Sequence, residues 1–181
     1  VNLLKRLQNA ITRATVKLVN SKTKTQTLQI GLLAGEIKGG IEHLEPYGFT
    51  SCPHVGAEGL ALFLGGDRSN GVVIVTADKR YRLLNLAAGE VAIYDDQGQM
   101  VALKRTGIVV STPKTLTATA SGDATITAPN VKVVGNVQVQ GDVNVTGTIS
   151  ATGDVKAGSI SLNSHVHSGV ESGSSNTGAP Q

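Results

Sequence analysis

Apolar and polar residues alternate along much of this chain, and the period changes at recognisable points. Near the start, Leu3, Leu4, Leu7, Ala10, Ile11 and Ala14 recur at steps of three and four, with Lys5, Arg6 and Arg13 elsewhere on the wheel. That spacing predicts an amphipathic helix over residues 2–14, docked on its own domain or a partner, or held at a membrane surface through its basic residues. From there to residue 94 the pattern is one of short strands between turns. Val16 and Leu18, then residues 27–32, alternate, while residues 60–64 and 72–76 are continuous apolar runs. Residues 65–71 join those two runs, and their Gly and Asn supply the positive φ that a hairpin connection needs. Several strands in so short a segment predict a small, OB-like β-barrel.

The second half carries the longest pattern. Gly135, Gly141, Gly147 and Gly153 fall six residues apart, and every odd position from Val131 to Ala157 is apolar or glycine against largely polar even positions. Upstream the same period runs on even positions, through Ile108, Val110, Leu116, Ala118, Ala120, Gly122, Ala124, Ile126 and Ala128, and its phase switches at Pro129-Asn130. Strands usually run 3–10 residues, so a period-two segment of about 50 residues is no ordinary strand and cannot bury its thin face alone. Two arrangements remain open. One chain could coil on itself in hexapeptide turns as a left-handed parallel β-helix, or three chains could wind about a common axis with their small residues inward.

Composition sharpens the division. The five aromatics, Tyr47, Phe49, Phe63, Tyr81 and Tyr94, all lie in the first 94 residues, where they suit the core of a barrel. Residues 107–181 contain seven charged residues and ten glycines, which suits a thin rod better than a globule. Residues 1–35 hold six basic and no acidic side chains, whereas the remainder holds ten basic against thirteen acidic. A basic nucleic-acid surface running along the whole chain is thereby excluded. With one cysteine, Cys52, no intramolecular disulfide can form. No apolar run reaches the roughly 18–20 residues needed to cross a bilayer, and no signal-peptide core precedes the first strand, so a soluble protein made in a cytoplasm is expected. A start at Val rather than Met reads as a fragment of a longer product.

Catalysis finds little support. His43 and His54 sit in a Gly/Pro-rich stretch of the barrel segment and read as surface or loop histidines. Cys52 beside Pro53 has no cationic neighbour in sequence and reads as a buried or inert thiol. Gly35-x-x-x-Gly39-Gly40 and Gly65-Gly66-Asp67 lack the Lys-Ser/Thr of a phosphate loop and read as turns, as does Asp95-Asp96-Gln97-Gly98. An OB barrel could bind single-stranded nucleic acid by stacking bases on aromatics, but these aromatics are mostly spaced as core residues. A hexapeptide acyltransferase would carry its catalytic histidine within the coils, whereas His165 and His167 follow the repeats, in a Gly/Ser segment. In an extended strand, residues two apart share a face, so both of these imidazoles can turn to one point. Three chains would bring six nitrogens there, a set suited to octahedral Fe(II), Co(II) or Ni(II) more than to four-coordinate zinc. The plain alternative is a pair of exposed histidines in a Gly/Ser tail. Ile160 and Leu162 follow a slip at Gly158, so a second shift near Asn163-Ser164 is expected before the histidines.

A barrel, a Gly/Val/Thr rod, Ser164-His165-Val166-His167-Ser168-Gly169 and the ending Asn176-Thr177-Gly178-Ala179-Pro180-Gln181 follow one another in that order. Together with Gly56-Ala57-Glu58-Gly59 through Gly65-Gly66-Asp67, this order resembles the central tail-spike, or baseplate assembly V, family of contractile-tailed phages. The resemblance implies a homotrimer that is not an enzyme, with an all-β fold: an N-terminal OB-like barrel followed by an intertwined trimeric β-helix needle with a metal-bound tip. It implies one iron ion per trimer held by six histidines, His165 and His167 from each chain. Axial calcium or chloride would be compatible with such a rod but follows from no residue pattern. The implied partners are the baseplate hub, the tail tube and the host outer membrane, which the spike pierces when the tail contracts, with no nucleic acid and no small-molecule substrate. The implied location is the virion, at the tip of the tail baseplate, with the host cytoplasm before assembly. The expected boundaries are 1–14 for an attachment segment, 15–94 for the barrel, 95–107 for a connecting hairpin, 108–162 for the triple-stranded β-helix and 163–181 for the apex.

Overall fold

The computed structural model describes residues 10–167 together with Gly169 and Gly173. Those residues form β-strands and two single-turn 3-10 helices, so the described fold is all-β as expected. Strand β1 (Ile11–Asn20) buries Thr12, Ala14 and Val16 and leaves Ile11 and Arg13 outside. This corrects the helix expected over residues 2–14: residues 11–14 are strand, and residues 2–9 lie outside the described residues. Ile11 and Ala14 fit a helical step, but Thr12, Ala14 and Val16 also alternate. The strand wins because β1 finds a hydrogen-bonding neighbour on each side, where a frayed helical turn would leave its backbone groups unpaired.

Strands β2 (Thr27–Gly31), β3 (Ile37–His43), β4 (Glu58–Phe63) and β5 (Gly71–Ala77) complete a closed barrel in the order β1-β2-β3-β5-β4. Only β3 and β5 pair in parallel. Five strands closed in this way are the OB arrangement, and closure leaves no free sheet edge. The apolar runs expected at 60–64 and 72–76 are the antiparallel pair β4–β5. Val16, Leu28, Ile30, Phe63 and Val73 fill the interior. Phe63 is the one buried aromatic; Tyr47 is fully exposed and Phe49, Tyr81 and Tyr94 are at least 39% exposed, which corrects the view of the aromatics as mostly core. A five-stranded lumen is narrow, and alternate aliphatic side chains leave room for little more than one ring.

The two 3-10 turns, Leu33–Gly35 and Leu64–Gly66, are alike: each places its middle residue at positive φ, Ala34 at 55° and Gly65 at 63°. Arg68 Nη1 donates to Glu36 Oε2 at 3.1 Å and ties one turn to the other. Gly39 and Gly40, expected in a turn, lie inside β3, where the β2–β3 register shifts and Gly40 takes a φ of +67°. Glycine there allows the bulge that curves the strand.

Strands β6 (Val91–Tyr94), β7 (Met100–Lys104) and β8 (Gly107–Ser111) make a separate antiparallel sheet. The positions expected as boundaries, 94 and 107, both fall within it, and the Asp95 turn joins two of its paired strands. Asp95 Oδ1 accepts the backbone N–H groups of Gln97 and Gln99, both at 2.9 Å. Cross-strand partners share a face, so Val91, Leu103 and Ile108 form one apolar rung and Ile93, Val101 and Val110 the next. All six are exposed, while Ala102 on the opposite face is buried.

Residues 122–181 form a second unit. Its residues from 123 to 155 form no regular element, and bends fall at Gly135, Gly141, Gly147 and Gly153, the hexad glycines. Among the described residues, those from 122 to 154 pair with no strand of this chain. This run ends in a hairpin, β9 (Lys156–Ala157) and β10 (Ile160–Ser161), joined through Gly158-Ser159. Gly158, at φ +63°, takes the first central position, where a tight hairpin turn demands positive φ. What sequence shows as a slip of phase is a reversal of direction.

Candidate functional site

The barrel-segment candidates separate in the structure. His43 is buried in β3, with Nδ1 2.9 Å from Gln26 Oε1, and Gln26 Nε2 donates to the Ser51 carbonyl at 2.8 Å. It is thus an interior structural histidine, which corrects its reading as a surface or loop residue. Strand β3 and the residue just before β2 bring His43 and Gln26 together, so a polar core position is satisfied within the barrel. His54 is half-exposed, as a loop histidine should be. Its Nε2 lies 3.3 Å from Asp96 Oδ2 and its ring 5.0 Å from that of Tyr81. Cys52 is exposed, not buried, in the irregular segment between β3 and β4. Asp78 is held below the usual carboxylate range by the Arg80 guanidinium, whose Nη2 also donates to the Val55 carbonyl at 3.0 Å. These contacts fasten the loop before β4 to the segment after β5.

His165 and His167 do come together at the end of the second unit. Leu162 N–H donates to the Val155 carbonyl at 2.8 Å, extending the β9–β10 ladder by one bond, and Asp154 Oδ1 accepts Asn163 N–H at 3.2 Å. The chain then makes a tight turn. The Ser161 carbonyl accepts the His165 backbone N–H at 3.0 Å and lies 2.9 Å from His165 Nδ1. This turn falls at Asn163-Ser164, where a second shift is expected. The two imidazoles meet edge-on, with centroids 5.2 Å apart and planes at 76°. Both side chains are exposed.

A carbonyl oxygen only accepts, so the ring nitrogen facing Ser161 must carry the proton. His165 is therefore the Nδ1–H tautomer, with the lone pair on Nε2. That is the form a metal-binding imidazole takes when its second nitrogen is anchored. Two exposed imidazoles side by side fit a metal as a partial donor set; among the described residues no group of three or more His, Cys, Asp or Glu forms around them. Sequence reasoning found both histidines and missed Ser161. Its signal was the Ser161-x-x-Ser164 spacing directly before His165, a common side-chain-to-backbone turn.

A family profile described as Bacteriophage Mu Gp45, N-terminal, matches residues 13–80, the barrel, and one described as the GpV Apex motif matches residues 159–181. The chain is 35% identical over 133 residues to the baseplate puncturing device gp45 of Escherichia phage Mu, covering 74% of this chain and 68% of that protein. It is 33% identical over 111 residues to the Mu-like prophage FluMu protein gp45 of Haemophilus influenzae, covering 61% of this chain and 60% of that one.

Proposed function

This chain belongs to the family of bacteriophage Mu gp45, and from that premise we propose that it is the central spike of a contractile tail baseplate, working as a homotrimer that punctures the host outer membrane. The role is mechanical and not enzymatic. The observation that carries the trimer is the apolar face left without a cover in one chain. Six aliphatic side chains stand exposed in register on the β6–β8 sheet, and Val131, Val133, Val137, Val139, Val143, Val145, Ile149 and Val155 repeat the pattern along the odd positions of the second unit. Such an apolar stripe, present in each of the two units, calls for an interface. Two further copies of the same stripe cover it with matching periodicity, and interchain ladders satisfy an extended backbone that has no partner strand within its own chain. A left-handed coil of one chain would instead have paired residue i with its neighbour one coil on.

In this arrangement residues 1–14 and the barrel are the attachment end, toward the baseplate hub and tail tube, and residues 163–181 are the apex. The protein is a virion component at the tip of the baseplate, held in the host cytoplasm before assembly. It needs no nucleic acid and no small-molecule substrate. His165 and His167 of three chains would hold one iron ion, through His165 Nε2 and a nitrogen of His167. Such an ion supplies coordinate bonds that tie three chain ends together. Two measurements test the reading. Sedimentation gives a species about three times 18.6 kDa, and tail particles assembled without the protein adsorb but fail to infect. A stable monomer, or full infectivity without it, overturns the proposal.

A further inference from the structure

Ser161 grips the turn before the histidines from two sides. Its backbone carbonyl holds both the N–H and the Nδ1 of His165. Its hydroxyl oxygen accepts the Ser164 backbone N–H at 3.0 Å and the Ser164 hydroxyl at 3.0 Å. The side chain thereby fixes the conformation of residues 161–164, and that conformation decides where the Ser161 carbonyl points. We propose that Ser161 is a positioning residue for metal binding: its hydroxyl locks the turn, the locked turn aims the carbonyl at His165 Nδ1, and the ring presents its Nε2 lone pair before any metal arrives. The proposal rests on the reading of His165 and His167 as metal ligands.

Three features support it. The imidazole is exposed, so packing does not hold the ring and its orientation has to come from a directed bond. The bond falls on Nδ1, which leaves outward the nitrogen farther from the backbone, the one best placed to reach a shared centre. Ser161 is itself anchored, as the last residue of β10, whose ladder continues through Leu162 to Val155 and is braced by Asp154 on Asn163. A chain of bonds therefore runs from the hairpin to the ring nitrogen. An alanine at 161 keeps the carbonyl but loses the hydroxyl acceptor, so Ser164 N–H turns to water and the carbonyl is no longer aimed. Removing such an outer partner of a ligating histidine typically weakens metal binding about 10–100-fold.

The test uses the full chain in its assembled state, checked by sedimentation, and Co(II) as the probe, bound in competition with a chromophoric chelator. Ser161→Ala binds Co(II) at least about tenfold more weakly than wild type at unchanged stoichiometry, and Ser161→Thr, which restores the hydroxyl, recovers most of the affinity. Independently, long-range proton–nitrogen spectra of the metal-free, histidine-labelled protein show the Nδ1–H tautomer at His165, and Ser161→Ala shifts that ring toward a mixture of tautomers. Equal Co(II) affinity in wild type and Ser161→Ala, or a His165 ring found as Nε2–H in the wild type, overturns the proposal. A wild-type chain that binds no Co(II) sinks the ligand reading, and with it any service of Ser161 to a metal, while the tautomer measurement still decides whether Ser161 sets the ring.

Discussion

Glu90 and Lys104 face each other across the β6–β7 pair, with Lys104 Nζ donating to Glu90 Oε2 at 3.0 Å. The same carboxylate accepts the backbone N–H of Ala87 at 3.0 Å and of Arg105 at 3.1 Å. One side chain thus closes the entry to the three-stranded sheet and its β7–β8 turn together. The Lys104 hydrogen bond, then those two backbone N–H groups, hold the Glu90 carboxyl below its ordinary range. Asp95 at the other end of the sheet is likewise lowered, first by the Gln99 side chain and then by backbone N–H groups.

The pH consequence follows from those directions. A carboxyl whose folded value is depressed contributes stability that is fully present above its unfolded value, about 4.3 for Glu, and that is lost as pH falls through the lower folded value. Glu90→Gln therefore lowers the unfolding midpoint at neutral pH, and the gap between variant and wild type closes in acid. Denaturant titrations at two pH values check this; a gap that widens in acid contradicts it.

Phe63 and Gly71 form a second dependent pair. The ring is buried beneath the Arg68 guanidinium, whose carbon lies 5.0 Å from its centroid. A Cβ added at Gly71 would stand 2.6 Å from the ring. Phe63→Ala is expected to cost about 3–5 kcal/mol and Gly71→Ala about 1–3 kcal/mol through overpacking. Phe63→Leu/Gly71→Ala should be less destabilised than the sum of its single variants, because the smaller residue vacates the space that the methyl enters. Denaturant unfolding of wild type, Phe63→Leu, Gly71→Ala and the double variant closes the cycle.

Val143 and Asn144 test which face turns inward. Val143→Asp places one carboxylate per chain on the apolar stripe, where an unpaired buried charge costs several kcal/mol per ion. Assembly is expected to fail by sedimentation. Asn144→Asp, on the polar side, is expected to assemble normally. Equal behaviour of the two would reverse or dissolve the facing.

The apex gives the metal prediction. Elemental analysis is expected to find about one metal per three chains in wild type and none in His165→Ala/His167→Ala. Acidification releases the metal, since a protonated imidazole has no lone pair to donate. One metal per chain, or metal retained by the double variant, removes the shared site.

Sequence made the barrel, the odd-position stripe and the paired histidines legible, because β4 and β5 write their burial, and the stripe its alternation of apolar and polar residues, into a local period. What it hid was set by distant partners. Ile11 and Ala14 satisfy a helical step as well as a strand step, and only pairing with β2 and β4 decides between them. His43 looks like a loop residue until Gln26, from before β2, reaches it inside the barrel. Val91–Tyr94 has the pattern of a barrel strand, yet its partner is β7. At the tip, alternation alone does not distinguish a slipped strand from a strand that turns back, and Gly158 is where the two differ.

The bends at Gly135, Gly141, Gly147 and Gly153 give the rod a unit of evolution. Losing or duplicating six residues returns every later side chain to the side from which it started, whereas a change of one, three or five exchanges inside for outside along everything downstream. Lengths among related rods should therefore change by even numbers, and by whole hexads wherever the glycine bends stay in step, and a lineage can lengthen its reach by copying a segment such as residues 141–146 without redesigning what lies beyond it.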